Sequence, residues 1–414
     1  MSTKLPADFS RLAWANLAAQ LAEQTCLAAV PLVAVLALKS GAGEIGLLAA
    51  FQTLPFLLFA IPLGLVADRM PRQRLMVLAE VLRSGSLAGL LATLLLGWTS
   101  ITLLAILGFL GALGTVAFSV AAPALASTLV ERKDLARANG RMELARSAAY
   151  TGGPALAGAL VAWAGAPFAF VLATVLSVAA LMLMLRITEP ARLPPPARHP
   201  WLELQDGTRF VWRHRLLQPI LLTGVAWNLA WFVLQAAYVP YAVGKLGMTA
   251  AEVGTTLAVY GLGMVTGALL AARLVARVPF GRAIQIGPLF SVVASALMLA
   301  TWWLPSGVLA AFAFFWFGLG PTVWVITSTT LRQTVTPSDL LGKVNGVFLT
   351  VSMGARPLGA ALGGFVGSQW SEEACLVLSL VLFLVQFALI FYSPISQLAG
   401  LPLPEPAKSS KQSL

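Results

Sequence analysis

Polar positions break the chain at regular intervals, and long apolar runs fill the space between them. Twelve runs recur, at roughly 14–38, 45–67, 75–97, 101–127, 142–164, 166–185, 217–243, 250–274, 282–304, 307–331, 345–367 and 373–395. Each is long enough to cross a hydrocarbon core of about 30 Å as a helix. Brief turn sequences separate many neighbours, among them Ser40-Gly41-Ala42-Gly43, Gly97-Trp98-Thr99-Ser100 and Pro305-Ser306-Gly307. Connections this short force neighbouring helices to run antiparallel. The pattern predicts an all-α polytopic membrane protein with twelve transmembrane helices.

The longest polar interruption, 186–216, begins with Pro190, Pro194, Pro195, Pro196 and Pro200, which cannot continue a helix. Its second part places Trp201, Leu204, Thr208, Val211 and Trp212 near one helical face, with Arg209, Arg213 and Arg215 close by. That pattern predicts an amphipathic helix lying on the membrane surface. Four units follow: a six-helix bundle at 1–185, a linker at 186–216, a second six-helix bundle at 217–395 and a tail at 396–414.

The halves carry similar pieces in the same places. Arg137-Ala138-Asn139-Gly140 precedes one span and Lys343-Val344-Asn345-Gly346 leads into its counterpart. A Gly/Pro cluster follows each: Gly152-Gly153-Pro154 in one half, Arg356-Pro357-Leu358-Gly359 in the other. Two six-helix repeats around a midplane cavity form a transporter architecture.

Composition narrows the class further. The 414 residues are 58% hydrophobic and only 10% charged, with a mean hydropathy of +0.85. A soluble domain carries about 25% charged residues, so a soluble enzyme and a disordered chain are excluded. The net charge of +11 raises nucleic acid as a partner, but the placement of the charge explains it better. If the N-terminus is inside, only Lys39 and Lys245 of the 27 basic residues fall in outside loops, and Arg83, Arg146 and Arg356 lie within spans. All the others lie on the inner side. This positive-inside bias predicts cytoplasmic N- and C-termini in a multi-pass cell inner membrane protein. The bilayer, not nucleic acid, is then the partner of the basic surface.

Cys26 and Cys375 both fall within spans, so no disulfide framework is expected. Glu23 and Gln24 inside the long first run argue against a cleaved leader.

The loop after the second span reads Gly64-Leu65-Val66-Ala67-Asp68-Arg69-Met70-Pro71-Arg72-Gln73-Arg74. Gly64 is expected to permit close helix approach, and Asp68 to face a helix N-terminus, where the backbone dipole favours an anion. The arginines suit carboxylates and helix-end carbonyls, so the loop can latch one conformation. In its spacing it resembles the loop signature of the major facilitator superfamily, with Gly64, Asp68, Arg69, Arg72 and Arg74 in register and Pro71 replacing a second glycine. The resemblance implies a secondary transporter in which these residues, with Glu80, Glu131 and Glu143, form a conformational latch. The second half keeps a degraded copy, Gly267 to Arg282, without the aspartate. The Asn-Gly loops resemble the exporter branch that holds the enterobactin exporter and macrolide efflux proteins. Ala138 to Glu143 also resembles a stretch shared by lysophospholipid transporters.

Charges inside spans are costly and usually face a cavity or a partner. Glu23 lies about 18 Å along the helix from Arg11, near the midplane. Asn16, Gln20 and Glu23 share a face by spacing. Glu23 is the candidate proton carrier, with a structural carboxylate as the other reading. Glu80 with Arg83, and Glu143 with Arg146, are i, i+3 pairs that read as helix-latching ion pairs near the rim or, through the arginines, as anion contacts. Arg356 is either a latch partner or an anion-binding group. Trp227, Asn228, Trp231, Gln235 and Tyr238 form an aromatic and polar stretch of the seventh span that suits an amphiphilic ligand.

The expected function is secondary active, proton-coupled export of a small amphiphilic molecule, such as a siderophore or drug, by alternating access. A lysophospholipid or metabolite transporter is the alternative within this fold, and a non-transporting membrane sensor is the alternative outside it. An enzyme is not expected: His199 and His214 both fall in the linker, and no phosphate-binding glycine loop occurs. No cofactor or metal is expected, and the chain is expected to act as a monomer.

Overall fold

A computed structural model describes residues 5–131, 134–190, 200–337 and 340–402. The helices in chain order are α1 (Ala7–Leu38), α2 (Ala42–Arg69), α3 (Arg72–Leu95), α4 (Ile101–Leu129), α5 (Leu135–Trp163), α6 (Ala166–Leu185), α7 (Pro200–Arg213), α8 (Leu217–Gly244), α9 (Ala250–Arg277), α10 (Phe280–Ala300), α11 (Gly307–Val335), α12 (Leu341–Gln369) and α13 (Glu372–Phe391). A 3-10 turn at Pro394–Gln397 follows. Among the described residues, ten helices are long and apolar enough to span a bilayer. The other two long helices, α5 and α12, have 29 residues each but carry charge at Arg141, Glu143, Arg146, Lys343 and Arg356.

Backbone groups inside a bilayer must be satisfied within the protein. Several helices therefore start on a side-chain cap: Ser100 accepts from the Leu103 amide, Ser306 from Leu309 and Ser371 from Ala374. Thr249 and Glu252 form a capping box at the start of α9. These tight starts share one face of the bundle, here termed the far face. The opposite, terminal face carries the start of α1, the 64–74 loop and α7.

The two halves repeat the same pairings. In the first, α1 packs on α5 and α6, α3 on α4 and α6, and α2 on α4. In the second, α8 packs on α12 and α13, α10 on α11 and α13, and α9 on α11. Across the halves, α2 meets α12 and α5 meets α9. Glycine makes these crossings close at the far face. A Cβ on Gly46 would lie 2.3 Å from the Gly364 Cα, and one on Gly254 would lie 2.7 Å from the Gly158 Cα.

At the terminal face, the Arg72 guanidinium donates to the Ala124 carbonyl at 2.6 Å, tying the start of α3 to the end of α4. The Gln73 amide donates to the Glu189 carboxylate at 2.9 Å. An anion at a helix start is favoured by the helix dipole. The second half has a counterpart: the Gly281 amide donates to the Leu398 carbonyl at 2.8 Å, so the chain after the 3-10 turn covers the start of α10. The first residues of the expected tail thus pack on the bundle. Arg69 and Arg74 are exposed, and Glu131 lies exposed just past α4. The side chain of Asp68 lies outside the described residues. Gly64 does not serve the close approach expected of it, since a Cβ there would meet Val120 at 3.9 Å, an ordinary contact.

Two further expectations are corrected here. α7 does not simply rest on a lipid surface, because it docks on α12 and α8. Gly207 packs against the Lys343 backbone, Asp206 pairs with Lys343 at 3.0 Å, and Val211 is buried. The side chains of Trp201 and Leu204 lie outside the described residues. Glu80 is not a rim latch either: it is 0% exposed and holds Arg83 at 2.7 Å and the Ser177 hydroxyl of α6 at 2.9 Å. It binds α3 to α6 within one half. Removing one partner of a buried pair costs about 3–5 kcal/mol. Glu80→Ala is therefore expected to lower the thermal unfolding temperature in detergent sharply, whereas a shift no larger than that of a surface substitution contradicts this role.

Candidate functional site

Between the halves lies a cavity of about 1100 Å³. Its wall reaches Ile220, Arg332 and Asn345, near the terminal-face ends of α8, α11 and α12. At the other end it reaches Ile45, Leu90 and Val239, beside the glycine crossings of the far face. Close packing at those crossings narrows the far end, whereas at the terminal end the lining runs out along α8, α11 and α12.

Glu23 stands in the middle of α1 and lines this cavity. Thr115 of α4 stands beside its carboxylate, and Arg83 and Arg356 are the cations whose fields act on it. Arg83 is held by Glu80 and lies 5.4 Å from the Phe118 ring centroid. Arg146 makes two bonds to Glu143, at 2.9 and 2.6 Å, and lies over Tyr150. Both members of that pair line the cavity, so Glu143 is a wall residue and not a rim latch. Arg356 donates to the Asn228 side-chain carbonyl at 3.0 Å, and Asn228 donates in turn to the Gly224 carbonyl at 2.9 Å. The Arg356 guanidinium lies 5.5 Å from the ring centroids of both Phe56 and Phe232.

The aromatic wall is continuous. Trp227 and Trp231 stack at 5.5 Å with nearly parallel rings, and Trp231 meets Tyr260 at 5.1 Å. Gln235 also lines the cavity.

Three expected ligand contacts do not reach this wall. Asn16 is buried with its amide directed at the Met142 carbonyl, 3.5 Å away, because α5 covers that stretch of α1. Gln20, one turn nearer Glu23, is also absent from the lining. Tyr238 is fully buried in the core of the second half, where its hydroxyl bonds to Thr256 and its ring packs on Phe314. In contrast, Arg332 lines the cavity, although its sequence position reads as part of a loop. Its signal lay in the polar run Thr327 to Thr334, whose hydroxyls bond back to carbonyls three or four residues earlier. These bonds let α11 run past its apolar segment to Val335.

Cys26 lines the cavity, whereas Cys375 is buried with its thiol on the Gly363 carbonyl. A hydrophilic thiol reagent is therefore expected to modify Cys26 alone in the folded protein. Mass spectrometry showing Cys375 labelled first would contradict the packing described.

A twelve-span bundle of two repeated halves, with a polar and aromatic cavity between them, defines a membrane transporter for small molecules. The sequence matches the Major Facilitator Superfamily over residues 12–360, and the chain belongs to that family. It is 28% identical to the enterobactin exporter EntS of Shigella boydii serotype 18, over 75% of this chain and 74% of the relative. The fold is similar to that of a bacterial homologue of the iron transporter ferroportin in its inward-facing state, with a TM-score of 0.74 at 17% identity. That match covers 94% of this chain and 99% of the other. The outward-facing structure of a bacterial ferroportin homologue superposes less well, with a TM-score of 0.65 at 16% identity, over 93% of this chain and 99% of the other. The chain is thus a multi-pass membrane transporter, and this family membership points away from an enzyme.

Proposed function

We propose that the chain is a proton-coupled exporter of a small amphiphilic molecule, of the siderophore or drug type, working by alternating access in the cell inner membrane. The observation that carries this reading is the midplane Glu23, set in the cavity wall among Arg83, Arg356 and Thr115. A carboxylate there can bind a proton from one side and lose it to the other as the halves rock. The 1–185 and 217–395 units are the rocking bodies, and 186–216 joins them. The basic excess favours a cytoplasmic terminal face, and the cavity, which extends toward that face along α8, α11 and α12, is read as loading from the cytoplasm. Likeness to the enterobactin exporter supports export, and the stacked Trp227 and Trp231 suit a flat apolar body. The chain acts as a monomer, since each bundle pair encloses its own cavity.

The 64–74 loop, with Asp68, Arg69 and Arg74, is proposed as the conformational latch, and Arg72 anchors it within the first half by tying α3 to α4. In a strain lacking the gene, the exported compound is expected to accumulate in cells, and sensitivity to amphiphilic drugs to rise. Unchanged metabolite retention and unchanged sensitivity would contradict export.

A further inference from the structure

Among the described residues, four arginines reach the central cavity, and they divide into two kinds. Arg83 and Arg146 are neutralised on their own helices, by Glu80 at 2.7 Å and Glu143 at 2.6 Å. Arg332 and Arg356 belong to the second half, and among the described residues neither has a carboxylate at ion-pair distance. Arg332 lies over the Phe348 ring at 4.7 Å, and its Nε is buried without a hydrogen-bond partner. The indole N–H groups of Trp227 and Trp324, both in the cavity wall, are also buried without one. These are donors with no acceptor, and a buried polar group left unpaired is costly.

Phe348 and Arg356 stand eight residues apart on α12, about 12 Å along its axis. Arg332 therefore marks the mouth of the cavity and Arg356 its depth, with the indole donors on the wall. Guanidinium groups bind carboxylate, sulfonate or phosphate through paired N–H donors. Among the described residues, the acidic groups lining the cavity are Glu23 and Glu143, and Glu143 is already taken by Arg146.

We propose that the second half holds a two-point anion path, Arg332 to Arg356, and that the transported molecule is an amphiphilic organic anion. Its charge moves from Arg332 to Arg356 while its apolar body lies on the Trp227 and Trp231 wall. Glu23 is the competing anion from the first half. This inference rests on the reading of the cavity as the transport site, but not on proton coupling.

Equilibrium dialysis of the full chain in phosphatidylcholine nanodiscs tests it without any pH gradient. The probes are naphthalene-2-sulfonate and the cation (2-naphthylmethyl)trimethylammonium, which share a body and differ in charge. The sulfonate is expected to bind at least about tenfold more tightly. Arg356→Gln is expected to weaken sulfonate binding about 10- to 100-fold, the scale of a charged hydrogen bond, and to leave the cation no weaker. Arg356→Lys should restore part of the loss. Arg332→Gln, at the mouth, should weaken the sulfonate about two- to fivefold and keeps the test decisive if Arg356→Gln does not fold. Equal affinity for the two probes, or wild-type sulfonate binding in folded Gln variants, overturns the proposal. So does loss of sulfonate binding in phosphatidylglycerol nanodiscs, which would assign the arginines to a lipid headgroup. Failure here leaves proton coupling standing, and loss of pH-driven transport leaves this binding result standing.

Discussion

Glu23→Gln is expected to abolish pH-driven accumulation of substrate in proteoliposomes, by about 100-fold or more, while leaving the protein folded. The reason is chemical. Glutamine keeps the size and the hydrogen bonding of the side chain but cannot exchange a proton. Glu23 lines the cavity at the middle of α1, whereas the other acidic groups near it, Glu80 and Glu143, are each held by an arginine on their own helix. Among the described residues, the other carboxylate in the cavity wall, Glu143, is already paired with Arg146. Removal of one general proton-transfer group typically costs factors of about 10² to 10⁴. Binding of substrate at fixed pH should survive the change, and thermal stability should stay near that of the wild type. Full pH-driven accumulation by the folded variant would remove Glu23 from the mechanism.

Gly46→Val is expected to shift the transporter out of the conformation described. A Cβ on Gly46 would sit 2.3 Å from the Gly364 Cα and 2.6 Å from the Ala360 carbonyl, so the far-face crossing of α2 and α12 cannot close around it. Overpacking of this kind costs about 1–3 kcal/mol, a factor of about 5 to 150 in a two-state equilibrium. The opposite state, with the far ends apart, bears none of that cost. Cys26 gives the readout, because it faces the cavity. In sealed vesicles an impermeant thiol reagent should label wild-type Cys26 from the terminal face. In Gly46→Val it should label from the far face. Gly64→Ala is the matched control, because its nearest neighbour would be 3.9 Å away. Labelling from the same face in both variants would show that the crossing does not set the conformation.

The spans were legible in the sequence because lipid imposes a single requirement, about twenty apolar residues with internal hydrogen bonding. Even α5 and α12, the most charged, could be placed, since their apolar lengths and the Asn-Gly pair near each helix start recur in both halves. The site was less legible. Spacing put Asn16, Gln20 and Glu23 on one face, but a face is not a fixed neighbourhood along a tilted helix. α5 leans over α1 at Asn16, and the cavity opens only further along, at Glu23. Tyr238 was misplaced for a similar reason. By spacing it lies on the same strip of α8 as Asn228 and Gln235, but its ring turns into the second-half core against Phe314, with Thr256 at its hydroxyl, while its neighbour Val239 reaches the cavity. Arg332 was overlooked because apolar runs underestimate helix length: threonine hydroxyls bonded to preceding carbonyls carry α11 past the lipid-facing segment. The Glu80–Arg83 pair was recognised by spacing, but its depth depends on Ser177 of α6, a contact that no local pattern contains.

The most direct measurement is transport in proteoliposomes under an imposed pH gradient, once the strain lacking the gene has identified a substrate. With the side opposite the terminal face made acidic, substrate should accumulate on that side against its own gradient while protons move the other way. A protonophore should reduce accumulation to equilibration. Accumulation that persists after the pH gradient is collapsed, or that ignores its direction, would contradict proton-coupled export through the Glu23 cavity.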